Sequence, residues 1–313
     1  MEIIDNKDYT FKRLDNSNLS DLIYLMKSVH GKAKSFDYFQ KKYNTKYTSK
    51  ENIGYFAYDI KGEPAAFYGI FPCIMTHGKS QFIAGQTGDV ITNPNHQKKG
   101  LFYSVAKKTH DLAKEEGIQL TFGFPNPNSA HGFFKKLNWI KIGRLTLFEN
   151  SYKTLNFYNL LNKYKFSTPL YFFYFNIFYF FNKCTPFTSS NNIENRISVI
   201  RNGDYLVNKS CEKTYFVKIN KFKIWFKFGD GILIGDVEKF DLEESESFFR
   251  SLNSFANQIG IKKIKLESMT NSFLFELFKQ KFNQNESIEI GYLPFNDLDY
   301  SNLLLSGGDS DTF

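Results

Sequence analysis

Lys98, Lys99 and Gly100 end the polar loop Asn93-Pro94-Asn95-His96-Gln97-Lys98-Lys99-Gly100, between an apolar strand stopped by Pro94 and a helix that begins at Leu101. A strand that runs into a loop whose backbone NH groups open a helix makes an anion site, because the orphan donors and the helix dipole point at one place. The two lysines add charge there. Gly100 permits the tight turn and close backbone approach that a diphosphate requires. Taken alone, a Lys-Lys-Gly turn before a surface helix is common and usually just solvated. Asp89 is the only carboxylate between Gln81 and Pro94, and Gln86 lies further back on the same strand. Tyr103 falls in the first turn of the following helix. His110 and His131 could move protons, although a lone helical histidine is more often structural or solvent-facing.

Other chemistries are excluded by what surrounds these residues. Cys73, Cys184 and Cys211 are far apart, with no CxxC pair and no Cys/His cluster at zinc spacing, so neither a disulfide framework nor a structural metal is implied. The 313 residues include 40 Lys plus Arg against 32 Asp plus Glu. Residues 1–150 hold 21 basic and 14 acidic residues, and 151–313 hold 19 and 18, so nearly all the excess sits in the first half. All five histidines are there too. No RNP motif, basic-aromatic stripe or zinc finger accompanies the charge, which favours a localised phosphate ligand over a nucleic-acid surface. The N-terminus MEIIDNKDYTFKRLDN is polar, with no apolar core for a signal peptide, and a cytoplasmic location is expected.

The elements that must position these residues follow from periodicity. A strand is expected over 9–14, then a helix over 19–30 capped by Asn16 to Asn18, with Leu22, Ile23, Met26 and Val29 on one face, ended by Gly31. A short helix over 36–43 precedes strands over 53–59 and 64–75, joined at Lys61-Gly62, and a third strand over 81–92. A helix over 101–116, a strand over 119–124 and a helix over 130–137 follow, with Asn138 at a left-handed C-terminal position. The run 170–181 (LYFFYFNIFYFF), from Leu170 through Phe181, is too short to span a membrane. A buried inter-domain helix is its first reading, and peripheral contact at the inner face of a membrane its second. Further strands are expected over 215–219, 223–228, 232–236, 263–267 and 289–293, with helices over 242–259 and 272–282. This order echoes the first half, as two copies of one topology would.

With these elements in place, the segment Thr92 to Phe102 resembles the signature of the GNAT superfamily of acyl-CoA-dependent N-acetyltransferases: Gln or Arg, two residues, Gly, one residue, then Gly or Ala, after a strand and a V-x-P-like turn. Asn126-Pro127-Asn128-Ser129 through Leu137-Asn138-Trp139 resembles the family's second motif. GFPNPNS together with KKGLF is similar to a subgroup of two-domain GNAT proteins found among bacterial cell-surface sugar genes. The resemblance covers about residues 8–148. It implies an α/β (α+β) fold of two tandem GNAT-like domains, each a mixed, mostly antiparallel sheet flanked by helices: a catalytic acyl-CoA-binding domain over 1–150, an aromatic-rich helix and linker over 151–190, and a degenerate second copy over 191–313.

The resemblance further implies acetyl-CoA as acyl-donor cosubstrate, without a metal. Backbone groups of Val90, Ile91 and Thr92 would align the pantetheine arm, Gln97, Lys98, Lys99, Gly100, Leu101 and Phe102 would hold the pyrophosphate, and Asn126 and Ser129 would touch the pantetheine. Two positions depart from the pattern. Phe102 replaces a small residue and could crowd a pyrophosphate oxygen, and Phe134 stands where many relatives carry a proton-donating Tyr. Asp89 is then the candidate base, directly or through water, with local backbone satisfaction as its alternative. Gln86 would position substrate or make a core hydrogen bond, and Tyr103 would stand in as acid or simply pack. Direct transfer to a small amine is expected, an amino sugar of surface polysaccharide by resemblance only. In the second half, Val237 to Glu244 is acidic and would repel a diphosphate. The rival readings are a Fem-type aminoacyl transferase using charged tRNA and a non-catalytic acyl-CoA-binding or scaffold module at the membrane.

Overall fold

The computed structural model describes residues 8–153, 157–162 and 168–313. The extreme N-terminal stretch 1–7 and the segments 154–156 and 163–167 of the aromatic-rich region lie outside them. In chain order the strands are β1 (Tyr9–Arg13), β2 (Ile53–Asp59), β3 (Pro64–His77), β4 (Ser80–Thr92), β5 (Leu120–Gly123), β6 (Ile140–Ser151), β7 (Ile197–Val199), β8 (Thr214–Ile219), β9 (Phe222–Gly229), β10 (Gly231–Val237), β11 (Lys263–Ser268) and β12 (Asn283–Pro294). The helices are α1 (Leu19–His30), α2 (Phe36–Lys42), α3 (Leu101–Glu115), α4 (Pro127–His131), α5 (Phe157–Asn162), α6 (Thr168–Asn182), α7 (Gly203–Asn208), α8 (Ser245–Gln258) and α9 (Phe273–Phe278).

These elements divide into two units. Unit 1 takes residues to Gly143 with Asp204–Cys211 and Ile288–Asn302, and unit 2 takes Arg144–Gly203, Glu212–Ser287 and Leu303–Phe313. In unit 1, β1 to β4 pair antiparallel in sequence order, β4 pairs parallel with β5, and β5 pairs antiparallel with β12 from Gly291↔Gly123 to Pro294↔Leu120. In unit 2, β8 to β10 pair antiparallel, β10 pairs parallel with β11, and β11 pairs antiparallel with β6. One pairing pattern thus recurs. Its closing strand in unit 1 is the late strand β12, and in unit 2 it is β6, which follows α4 directly in sequence.

Burial in unit 1 is split by its sheet. One face packs α1 and α2 through Leu19, Leu22, Leu25, Phe39 and Tyr43 onto Phe56, Phe67, Phe71 and Ile91. The other packs α3 through Leu101, Val105, Ala106 and Ala113 onto Tyr68 and Ile70, with Phe133 and Trp139. Each enclosed Leu contributes about 1.5–3 kcal/mol, enough for three leucines to fix the seat of α1. This face is rotated from the expected one: Leu19, Leu22 and Leu25 are buried, Ile23 and Met26 are half-buried, and Val29 is exposed.

The expected cap of α1 is also corrected. Asn18 occupies the cap position without bonding the helix; its Oδ1 accepts from Asp15 N at 2.9 Å and its Nδ2 donates to Arg13 O at 2.8 Å, tying β1 to α1. The helix expected over 130–137 begins earlier, at Pro127, because Asn126 accepts from the NH groups of Asn128 and Ser129, and it continues as a π-helical turn over Gly132–Lys136. Asn138 is left-handed, with φ 56°.

In unit 2, α8 and α9 bury Phe248, Leu252, Phe255, Leu274 and Phe278 against Ile224, Phe226, Ile234 and Leu266. Buried Arg201 donates through Nη1 to Asp236 and through Nε to Asp309 Oδ1 at 3.0 Å, and its Nη2 reaches Ser306 Oγ at 2.7 Å. The last residues are enclosed here too, with Phe313 meeting Trp225 at a ring separation of 4.5 Å.

Candidate functional site

The register of β3 against β4 slips between Phe67↔Ile91 and Gly69↔Gly88, which leaves Asp89 and Val90 opposite Tyr68. Asp89 takes φ 53° in this bulge, a left-handed conformation that Asp tolerates better than most residues. The bulge turns the carboxylate toward α2. Asp89 Oδ1 accepts from Lys42 Nζ at 2.8 Å, and Oδ2 accepts from Tyr43 OH at 3.1 Å. The Lys42 and Asp89 side chains are only 7% and 6% exposed. Gly69 makes room for the arrangement, since a Cβ there would stand 2.5 Å from Tyr43 OH. Lys42 Nζ also lies 4.8 Å over the Phe71 ring. A short helix bearing Lys41-Lys42 looks like a solvated face in sequence, and nothing local signals that Lys42 and Tyr43 meet Asp89.

Gln86 pairs across the sheet with Phe71, whose ring lies 4.8 Å from that of Tyr43. Cross-strand partners share a face, so Gln86 and Asp89 project to the α2 side. Gln86 is buried, and its Nε2 meets no acceptor. A buried donor left unpaired costs about 1–3 kcal/mol, a cost that Trp139 Nε1 and Trp225 Nε1 carry as well. Tyr103 is on the other face. It is half-buried in the cluster of α3 and, with Lys107, His110 and Lys136, lines a cavity of about 560 Å³.

β4 and β5 pair only at Gly85↔Thr121 and Gln86↔Phe122. Beyond them β4 runs on to Thr92 with β3 as its only strand neighbour in unit 1 among the described residues, so one backbone edge of Val90, Ile91 and Thr92 faces away from any strand of that unit. The Ile91 side chain is buried on the α2 side, and the half-buried Val90 packs on the α3 side. At the end of β4, Asn93 caps a 3-10 turn over Pro94–His96, Gln97 is extended, and Lys98 and Gly100 are left-handed at φ 62° and 75°. Gly100 occupies the N-cap of α3 and no side chain caps it. The Leu101 side chain is buried beneath this turn, which leaves backbone as what Gly100 and Leu101 present.

Phe102 turns inward. Its ring packs 5.6 Å from that of Phe133, and Gly132 leaves the space it fills, because a Cβ there would stand 2.8 Å from the ring. The side chain expected to crowd a pyrophosphate therefore packs between α3 and α4. Phe134 occupies the space that Gly291 leaves, where a Cβ would be 2.5 Å from its ring. Asn126 and Ser129 together form the first turn of α4, with Ser129 Oγ donating to Asn126 O at 3.2 Å.

Beneath β4 runs a buried polar chain that sequence inspection missed. Tyr68 OH meets His110 Nε2 at 3.0 Å and Thr87 Oγ1 at 3.4 Å, and Thr87 reaches Thr121 Oγ1 at 2.7 Å. Burial pushes His110 down to about 3 and pushes the Tyr68 phenol up. His110 is thus a neutral core residue at ordinary pH rather than a proton shuttle.

A bulged strand parting from its parallel neighbour beside an uncapped helix N-terminus is a fold-level arrangement, and residues 10–142 match the acetyltransferase (GNAT) domain family. Residues 10–142 are a GNAT acetyltransferase domain. The chain is an acyltransferase of the GNAT type by virtue of it. No curated protein matches the chain. Among solved structures it resembles the GCN5-related N-acetyltransferase of Kribbella flavida at 9% identity and TM-score 0.60, over 91% of this chain and 70% of that one. It resembles the GCN5-related N-acetyltransferase of Anabaena variabilis ATCC 29413 at 12% identity and TM-score 0.59, over 92% and 73%. At these identities the likeness is one of fold, an α+β arrangement with a mixed sheet over most of the chain. The donor implied by the GNAT domain is an acyl-CoA, and its acceptor class is a small amine.

Proposed function

We propose that the chain is an acetyl-CoA-dependent N-acetyltransferase that passes the acyl group directly to a small amine, with an amino sugar or sugar nucleotide of surface polysaccharide as the favoured acceptor. The observation that carries this reading is the parting of β4 from β5 beside the uncapped start of α3. An extended thioester arm can add to the edge of β4 along Val90, Ile91 and Thr92. A diphosphate can then meet the NH groups of Gln97, Lys98, Lys99, Gly100, Leu101 and Phe102, where the dipole of α3 favours negative charge. Asn126 and Ser129 border the arm from α4, and Phe134 supplies packing but no proton.

Asp89 is the residue assigned to the acceptor. Lys42 and Tyr43 fix the orientation of its carboxylate, which takes the proton of the acceptor amine directly or through a water. Gln86 Nε2 donates to the acceptor or to the oxygen that gains charge during attack. Tyr103, on the opposite face, is read as a packing residue of the α3 cluster. Unit 2 is read as a degenerate copy, since Asp241, Glu243 and Glu244 precede α8 where the GNAT domain has Lys98 and Lys99.

The test is thiol release from acetyl-CoA against a panel of amines that includes amino sugars and their nucleotides. Release that depends on a primary amine, and falls at least about 100-fold in Asp89→Asn, is the expected result. Absence of amine-dependent release across the panel, with transfer seen only from charged tRNA, would overturn it.

A further inference from the structure

Helix α6 has two apolar faces with opposite surroundings. Tyr171 and Phe175 are buried, with Phe172, Phe178 and Tyr179 packed beside them, and Phe175 meets the rings of Tyr215 at 4.9 Å and Phe228 at 4.8 Å within unit 2. Leu170, Phe173, Tyr174, Ile177, Phe180 and Phe181 are 63, 65, 48, 48, 65 and 78% exposed. At 3.6 residues per turn these six fall within an arc of roughly 120°, so they form one continuous stripe. Exposed apolar residues on a soluble surface are ordinarily scattered, and a contiguous patch marks a contact. The neighbouring α5, joined to α6 by a 5.1 Å ring contact between Tyr158 and Tyr171, exposes Phe157 and Leu160 as well.

Length and charge decide what the stripe meets. No helix among the described residues is long and apolar enough to cross a membrane. The 15 residues of α6 extend about 22 Å, against a hydrocarbon core of about 30 Å. From Asn150 to Ile193 the sequence contains no Asp or Glu, whereas Lys153, Lys163, Lys165 and Lys183 all fall within it. Lys183 Nζ lies 5.3 Å over the exposed Phe180 ring. A symmetric contact with a second copy would set this acid-free, lysine-bearing region against itself, while anionic headgroups would neutralise it. Aromatic side chains flanked by lysines are the pattern of a helix lying in the headgroup plane.

We propose that α6 docks the protein peripherally on an anionic lipid bilayer, with its exposed stripe entering the headgroup region and Lys183, beside Phe180, meeting lipid phosphates. Co-sedimentation of the full chain with phosphatidylglycerol-containing vesicles and with pure phosphatidylcholine vesicles tests this. The expected result is partitioning at least about tenfold stronger onto the anionic vesicles, weakened by salt. The triple variant Phe173→Ser/Phe180→Ser/Phe181→Ser should lose about tenfold while keeping its circular dichroism and melting temperature. In a second variant, Phe180→Trp, emission should shift to the blue when vesicles are added, against a constant background from the buried Trp139 and Trp225. Equal partitioning of wild type and triple variant, an unshifted Phe180→Trp spectrum, or a wild-type dimer that the triple variant converts to monomer would each overturn the proposal.

Discussion

Lys42 Nζ stands 2.8 Å from Asp89 Oδ1, with both side chains almost fully enclosed, at the bulge where β4 changes register against β3. Such a pair adds little when intact and is costly to halve, because the remaining charge has no solvent. Lys42→Met is therefore expected to lower stability by about 3–5 kcal/mol, and Lys42→Met/Asp89→Asn to recover a large part of that loss. Urea denaturation of the two variants and Asp89→Asn completes the cycle. Additive losses would mean that the ion pair does not couple the two residues.

Gln86 places an amide nitrogen without an acceptor inside the sheet. Replacing it by the similar-sized Met removes an unpaired donor, so Gln86→Met should leave stability unchanged or raise it by about 1–2 kcal/mol. Amine-dependent thiol release should fall by about 10–100-fold in the same variant. A variant that is both less stable and fully active would show that Gln86 is an ordinary core residue.

His110 is neutral in the fold because burial lowers it from 6.5 to about 3. Between those values the unfolded chain binds the extra proton and the folded chain does not, so stability rises with pH through that window and levels off above 6.5. In thermal melts the wild type should lose about 1.4 kcal/mol per pH unit below 6.5 relative to His110→Gln, which keeps a polar partner for Tyr68 but cannot titrate. Parallel stability profiles for the two proteins would contradict the burial assigned to His110.

Gly132 sits in helical conformation, where Ala is ordinarily favoured by about 1 kcal/mol, yet a Cβ there would approach the Phe102 ring to 2.8 Å. Gly132→Ala should be destabilising by about 1–2 kcal/mol in the wild type and stabilising in a Phe102→Ala background. The sign reversal, read from chemical denaturation midpoints, locates the Phe102 ring between α3 and α4 and away from the anion loop.

Local signals in the sequence were sufficient for much of the GNAT domain. The bounds of α1, the hairpin at Lys61-Gly62, the break at Pro94 and the left-handed Asn138 each follow from one to four neighbouring residues. The ligand-facing loop was legible for the same reason, since Gly100 and the lysines beside it are contiguous. What escaped depends on distant pairings. β6 is held by β11, a partner that begins more than a hundred residues later. β12 joins β5 although it follows α9 in sequence. Lys42, Tyr43 and Tyr68 become site residues only through the register of β3 against β4 and the seating of α2 and α3.

Acetyl-CoA binding by calorimetry, for the wild type, Gly100→Glu and Gly100→Asn, bears most directly on the acyltransferase site. Gly100 is left-handed at the N-cap of α3; Asn tolerates that conformation, whereas Glu adds negative charge where the diphosphate would lie. Binding on the order of micromolar by the wild type, largely kept by Gly100→Asn and weakened at least about 100-fold by Gly100→Glu, is the expected outcome. No binding by the wild type at millimolar ligand, or equal binding by wild type and Gly100→Glu, would contradict the site placed at the parting of β4 and β5.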